Sequence, residues 1–179
     1  MGASGWVYFV PYQPDVEKAL QELRQEEFLK GKYYRVGTRT ELIADLENTL
    51  QRPTLDPDPD IHAYLQTEYR THLKRLKSLP EPTTVEEKIE ELIVVNDDSG
   101  THSIIDIRGI SSTPKFGMAA PLPRSELVEL FGSDQPTRSM VEGLQDRLVS
   151  LRSRWIGTYI IVFKDGVPDE IYFTGFSGD

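Results

Sequence analysis

The chain has 179 residues, of which 38% are apolar and 27% charged, and its formal net charge is −9 with an isoelectric point near 4.9. This apolar content argues against a disordered chain. It also argues against a membrane-spanning one, because an apolar run such as Tyr159 to Phe163, which no other run exceeds, is far shorter than the roughly 20 residues of a membrane helix. The acidic balance disfavours nucleic acid as a partner, the lack of cysteine excludes disulfides and thiol chemistry, and together they predict a cytoplasmic protein.

The first third of the sequence predicts a strand followed by two helices. The aromatic and β-branched run Trp6–Tyr12 is typical of a strand. Apolar residues at helical spacing predict a helix that runs to about Lys30 and stops at Gly31. The residues from Tyr33 to Val36 could form a short edge strand. A second helix is expected to begin at Thr38 or Thr40 as its N-cap.

The middle of the sequence is helical. The prolines in residues 52–60 forbid a helix interior there and predict a loop. A third helix is expected over about 61–79, before Pro80 and Pro82. Thr84 and Glu87 then have the spacing of a capping box for a fourth helix that ends near Val95, and residues 96–100 predict a turn.

The last part alternates strands and helices. The runs His102–Ile110 and Phe116–Leu122 are typical of strands joined by a turn. A short helix is expected over about 124–131, and a longer one from Pro136 to Trp155. Two β-rich runs around Asp165-Gly166 predict a closing hairpin from Gly157 to Phe176.

These elements predict the fold class α+β. The economical arrangement is one mostly antiparallel sheet of about five strands with helices packed on one face. Residues 1–179 would form a single domain, in which residues 38–98 are a helical insertion beside the sheet.

Motifs for catalysis and for metal ions are weak. Neither a phosphate-binding glycine loop nor an H-E-x-x-H motif occurs, and His62 and His72 would point about 80° apart on one helix. The acidic run from Asp56 to Asp60 resembles the start of a calcium loop, but the glycine and the glutamate that such a loop needs are absent from their positions. Ser177 lies in a sequence like that of a nucleophile elbow, without the helix that should follow it. We therefore predict no metal and no cofactor.

Four residues form the candidate ligand site. Asp106 and Arg108 alternate with isoleucines, so that one face of the predicted strand is apolar and the other carries opposite charges. Tyr12 and Gln13 follow the first strand, at a strand tip where sites often form. Asp106 and Arg108 could be ordinary surface residues, or they could bind a polar ligand or transfer protons beside Tyr12 and Gln13.

A basic stripe on the third helix is the candidate partner surface. Arg70, Lys74 and Lys77 share one side of that helix and precede the strongly acidic segment 81–98. The stripe could pair with these acidic residues within the chain, dock a partner protein or contact nucleic acid.

Three segments resemble one known protein family. These are the opening YFVPYQPD run from Tyr8 to Asp15 with the helix after it, the residues from Leu130 to Val141, and the tail from Asp165 to Ser177. They are similar to a family of small, uncharacterised proteins of actinobacteria and cyanobacteria, and residues 38–98 lie outside the resemblance. It implies a bacterial, cytoplasmic context and carries over no catalytic residues.

Two functional hypotheses follow. The first is a non-catalytic binding or interaction module, for instance an immunity-type protein whose acidic surface neutralises a basic partner. The alternative is a small enzyme or small-ligand binder with a polar site at the sheet.

Overall fold

The computed structural model describes residues 4–178 and contains five strands, seven α-helices and two 3₁₀ turns in that range. The strands are β1 (Gly5–Pro11), β2 (Gly109–Ile110), β3 (Met118–Pro121), β4 (Ile156–Lys164) and β5 (Val167–Phe176). The helices are α1 (Val16–Lys30), α2 (Arg39–Leu50), α3 (Pro59–Ser78), α4 (Val85–Asn96), α5 (Arg124–Phe131), α6 (Arg138–Gly143) and α7 (Gln145–Val149). The 3₁₀ turns are Asp97–Ser99 and Ile104–Asp106.

The chain divides into two compact units. A sheet unit comprises the residues up to Tyr34 and those from Asp98 onward, and a helical unit comprises Arg35–Asp97. Each unit has apolar clusters made only of its own residues. That all 179 residues form a single domain stays a prediction. That residues 38–98 form a helical insertion also stays a prediction.

The sheet is mixed rather than mostly antiparallel. The strand order is β1-β5-β4-β3-β2, with β5 antiparallel to both β1 and β4, whereas β3 is parallel to β4 and β2 is parallel to β3. The chain between β3 and β4 contains α5, α6 and α7, and such a long crossover is the connection that parallel neighbours require. The fold class α+β is confirmed, and the prediction of a mostly antiparallel sheet is wrong.

Helices cover both faces of the sheet, which corrects the prediction that they pack on one. Leu20 and Leu23 of α1 share a buried cluster with Ile171 and Phe173 of β5. The next residue along β5 from Ile171, Tyr172, points to the opposite face and packs with residues of α5, α6 and α7. Since successive side chains of a strand alternate between faces, the two clusters are two cores on opposite sides of one sheet.

The helical unit has a small core of its own. Leu76, Val94 and Val95 are buried, and half-buried apolar residues of α2 pack against them. Thr38 and Thr84 both form capping boxes, with Glu41 and Glu87 respectively. The box at Thr84 is the one that the spacing of Thr84 and Glu87 predicts. The predicted helices near 38–50, 61–79 and 84–95 are confirmed within a few residues.

The first strand and the closing hairpin are confirmed and lie side by side. β1 pairs with β5 along its whole length, and β5 pairs with β4 across the tight turn at Asp165 and Gly166. Both turn residues have positive φ, 52° and 78°, which suits the Asp-Gly pair that predicts the hairpin.

Three predicted elements are wrong. Most of His102–Ile110 is not a strand, since residues 104–106 form a 3₁₀ turn and only Gly109 and Ile110 join the sheet. No regular structure forms at Tyr33–Val36. The long helix predicted from Pro136 to Trp155 is interrupted at Leu144 and ends at Val149, and Trp155 has a φ of 67° that no right-handed helix allows.

Candidate interaction surface

Tyr12 and Gln13 line a groove between the end of β1 and α1. The groove has a volume of ≈ 300 Å³. Gln13 donates a hydrogen bond to Glu22 at 2.8 Å, and Tyr12 is 37% exposed. The groove is also lined by Val10, Pro11, Ala19, Leu23 and Glu26. The groove therefore has an apolar floor with an acidic rim.

Asp106 is buried and does not face solvent or this groove. Its side chain, 3% exposed, accepts hydrogen bonds from the Thr101 backbone N–H at 2.8 and 3.1 Å. Burial raises the pKa of Asp106, although the nearby Ser177 hydroxyl and the hydrogen bonds from Thr101 work in the opposite direction. Gly100 lies so close that a Cβ there would come within 2.9 Å of the carboxylate. Asp106 therefore holds the turn between residues 100 and 106 together.

Arg108 is exposed and lies at the other edge of the sheet from Tyr12. Its backbone carbonyl accepts a hydrogen bond from Gln21, and its backbone N–H donates to Gly117. Arg108 precedes β2, whereas Tyr12 follows β1, and these strands are the two outer strands. Asp106 contacts Ser177, at the end of the β1–β5 ladder opposite to Tyr12. The structure thus brings Tyr12 and Gln13 together and leaves Asp106 and Arg108 apart from them.

The basic stripe lies exposed along α3. Arg70, Lys74 and Lys77 line a groove of ≈ 450 Å³ together with Leu73 and Ser78. Leu73 is half-buried, and the other four residues are exposed. Within residues 4–178, Arg70 and Lys74 form no ion pair, whereas Lys77 pairs with Glu47 of α2. The groove is therefore cationic, with one apolar side chain between its charges.

The acidic segment after α3 pairs elsewhere. Arg39 of α2 contacts Glu81 and lies 3.3 Å from Glu91 of α4. From α3, Arg75 lies 3.9 Å from Asp97 and the His72 ring lies 3.6 Å from the same carboxylate. Pairing of the stripe with the acidic segment, the first alternative from the sequence, therefore does not occur at Arg70, Lys74 or Lys77.

The structure also shows a buried polar group at α1 that sequence reasoning missed. Glu27 is 6% exposed and contacts the Tyr8 hydroxyl and the Lys30 ammonium, the latter at 2.9 Å. Burial, followed by the charge of Glu27, raises the pKa of Tyr8 to about 12. Arg24, also 6% exposed, donates to the backbone carbonyl of Ile105 at 3.3 Å. The sequence holds one signal, because Glu27 continues the helical line of apolar residues that faces the sheet.

Histidines and acidic residues hold backbone groups in the helical unit. The His62 Nδ1 atom accepts a hydrogen bond from the Leu55 N–H at 3.0 Å, and His72 Nε2 lies 3.2 Å from the carbonyl oxygen of Val94. Asp58 caps α3 through the N–H groups of residues 60 and 61. In the part of the chain that the structure describes, no three histidine or carboxylate side chains group in a way that could hold a metal ion.

Comparisons with known proteins add no relative. No protein-family model, curated protein or solved structure matches the chain. The resemblance to the actinobacterial and cyanobacterial family therefore stays a prediction. Among the described helices, none has the length and apolar content that crossing a bilayer requires.

Proposed function

We propose that the protein is a cytoplasmic, non-catalytic interaction module, and that the groove along α3 docks an acidic segment of a partner protein. The observation that carries this proposal is the pair Arg70 and Lys74, two exposed cations without an ion pair in residues 4–178, on either side of Leu73. Charge-assisted hydrogen bonds from such groups to carboxylates are stronger than neutral ones.

The packing of the helical unit supports this assignment. α3 is 20 residues long, yet Leu76 is its single buried residue, and α2 has none. Most helical stability in proteins comes from packing of an apolar face rather than from intrinsic propensity. A partner bound to α3 would bury more of the side chains of this helix than the helical unit buries by itself.

The local charge decides the chemistry of the partner. The net charge of −9 favours a basic partner for the protein as a whole. The groove has the opposite sign, so it favours a partner segment with two or three carboxylates and one apolar side chain that reaches Leu73. Complementary charges of this kind accelerate association and make it sensitive to salt.

The test is photo-cross-linking from the rim of the groove. A photoreactive residue replaces Ser78, and partners are captured with and without the double substitution R70E/K74E. K88E is the matched control, because Lys88 is an exposed lysine on α4 that does not line the groove. The captured partner is then purified and titrated with each variant at low and high salt.

We expect R70E/K74E to weaken binding of that purified partner by about tenfold or more, and K88E to leave it unchanged. Equal binding by all three proteins would refute the docking role of α3. A nucleic acid as the captured partner would refute the protein-module proposal itself.

A small-ligand site is the second candidate function, favoured by the ≈ 300 Å³ groove at Tyr12. With Glu22 and Glu26 on its rim and Leu23 on its floor, this groove suits an amine that carries an apolar body. Titration of the protein with short alkylamines, followed by NMR, should show shifts that Y12A abolishes. Shifts that persist in Y12A would place any amine binding elsewhere.

A further inference from the structure

β1 is an outer strand whose unpaired side can be identified residue by residue. Ser4 accepts a backbone hydrogen bond from Ser177 at 3.1 Å, and Tyr12 donates one to Asp169 at 2.9 Å, both in the register of the β1–β5 ladder. Because backbone groups alternate sides along a strand, the even-numbered residues between them also bond to β5. The N–H and C=O groups of Gly5, Val7 and Phe9 therefore point away from the sheet.

Nothing in residues 4–178 bonds to these outward groups. β1 pairs with β5 alone, and no side chain there donates to or accepts from the backbone of Gly5, Val7 or Phe9. Natural proteins usually protect such an edge with charges, a bulge, proline or shortness. β1 has seven residues, no charge and an unbroken register, and its single proline, Pro11, is at its end. At the other edge of the sheet, β2 has two residues.

The side chains of β1 define what kind of strand could pair with it. Tyr8 and Val10 pack against the cluster on one face of the sheet, and Val7 and Phe9 pack against the cluster on the other. Both apolar layers therefore reach the edge. A neighbouring strand extends both layers only if it is apolar on both of its faces, as β1 is itself.

An antiparallel copy of β1 also satisfies the hydrogen-bond pattern. With a two-fold axis at Tyr8, Val7 of each copy lies opposite Phe9 of the other, and the two residues exchange N–H and C=O bonds. β1 has no charged residue, so pairing two copies of it brings no like charges together within the strands. The guanidinium of Arg138, 4.2 Å from the centre of the Phe9 ring, is ion-paired with Glu142 and Glu170.

We propose that the protein forms a homodimer through antiparallel pairing of β1 with β1 of a second copy, so that the two sheets join into one. This inference is independent of the groove on α3, because it concerns the sheet unit alone.

Sedimentation of the full chain over a range of micromolar concentrations tests the dimer. V7P removes one outward N–H per copy and leaves the bonds to β5 intact, and proline is tolerated on the open side of an edge strand. V7I is the matched control, because it keeps both the N–H and a β-branched apolar side chain. We expect wild type and V7I to be dimeric, and V7P to dissociate about tenfold or more readily.

A second variant covers the case in which V7P does not fold. V7K keeps the backbone N–H and places a charge at the seam, where the two-fold axis brings the two lysines near each other. Circular dichroism shows for each variant that the fold is intact. A monomeric wild type, or a dimer that neither V7P nor V7K weakens, would overturn the proposal.

Discussion

The contact between Gly175 and Trp6 gives a sharp test of the packing at the centre of the sheet unit. The two residues are directly opposite in the β1–β5 ladder. A Cβ on Gly175 would lie 2.5 Å from Cζ2 and 2.8 Å from Cη2 of the indole ring, and 3.2 Å from the carbonyl oxygen of Ile156. Trp6 is 4% exposed, so its ring has no open space into which it can move.

Two effects of the substitution G175A oppose each other. Replacing glycine within a strand removes conformational freedom from the unfolded chain, which favours the variant by about 0.5–1 kcal/mol. Overpacking a buried contact costs about 1–3 kcal/mol. At distances near 2.5 Å the second effect should prevail, and we expect G175A to lower the free energy of unfolding by about 1–2 kcal/mol.

Urea denaturation in a W155F background measures this change, because Trp6 is then the single tryptophan fluorophore. The matched control is G143A, since a Cβ on Gly143 has no neighbour within 4 Å. This control should be as stable as its parent or slightly more stable. If G175A unfolds at the same urea concentration as its parent with unchanged Trp6 emission, the close contact between Gly175 and the Trp6 ring does not exist.

Three further changes test other parts of the structure. Burial raises the pKa of Asp106 in the folded state, so this residue stabilises the fold most below its unfolded pKa and less as pH rises. The stability of D106N relative to wild type, measured by urea titration, should therefore increase from acid to neutral pH. A decrease would contradict the raised pKa. Y8F removes the phenol that contacts the buried Glu27 and should cost about 1–3 kcal/mol in the same assay, but clearly less in an E27Q background. Replacing residues 35–97 with a short glycine-rich linker should leave a sheet unit that unfolds cooperatively. The two ends to be joined are already close, because the Tyr34 N–H bonds to the carbonyl of Thr101. Loss of the cooperative transition would refute the independence of that unit.

Local chemistry made several elements predictable from the sequence. The Asp165-Gly166 pair specifies a turn with two positive φ angles, and few other residue pairs adopt one as readily. The capping box at Thr84 and the left-handed Gly31 mark helix ends through hydrogen bonds within a few residues. Such signals need no knowledge of the rest of the chain.

The candidate site failed where burial depends on distant residues. Alternation of Asp106 and Arg108 with isoleucines suggested a strand with one charged face. In the structure Ile104, Ile105 and Ile107 are all fully buried, and Asp106 is buried with them because the Thr101 N–H satisfies its carboxylate and Ser177 lies beside it. Ser177 is far away in sequence, so no local pattern could reveal this partner.

Strand direction was equally hidden. β3 and β4 are parallel because they are neighbours joined by the crossover through α5, α6 and α7, and no local pattern in either strand specifies which strand becomes its neighbour. The basic stripe on α3 was easier, because three cations at helical spacing must share a side of that helix whatever surrounds it.

The position of β5 between β1 and β4 has a consequence for the order of events during synthesis. Gly5 of β1 pairs with Phe176 of β5, so β1 leaves the ribosome long before β5 has been synthesised. The helical unit, made in between, draws its core from residues 42–95 alone and can form while the nascent chain is still growing. During that interval β1 has no neighbouring strand, so its aromatic and aliphatic side chains stay exposed until β5 has been made.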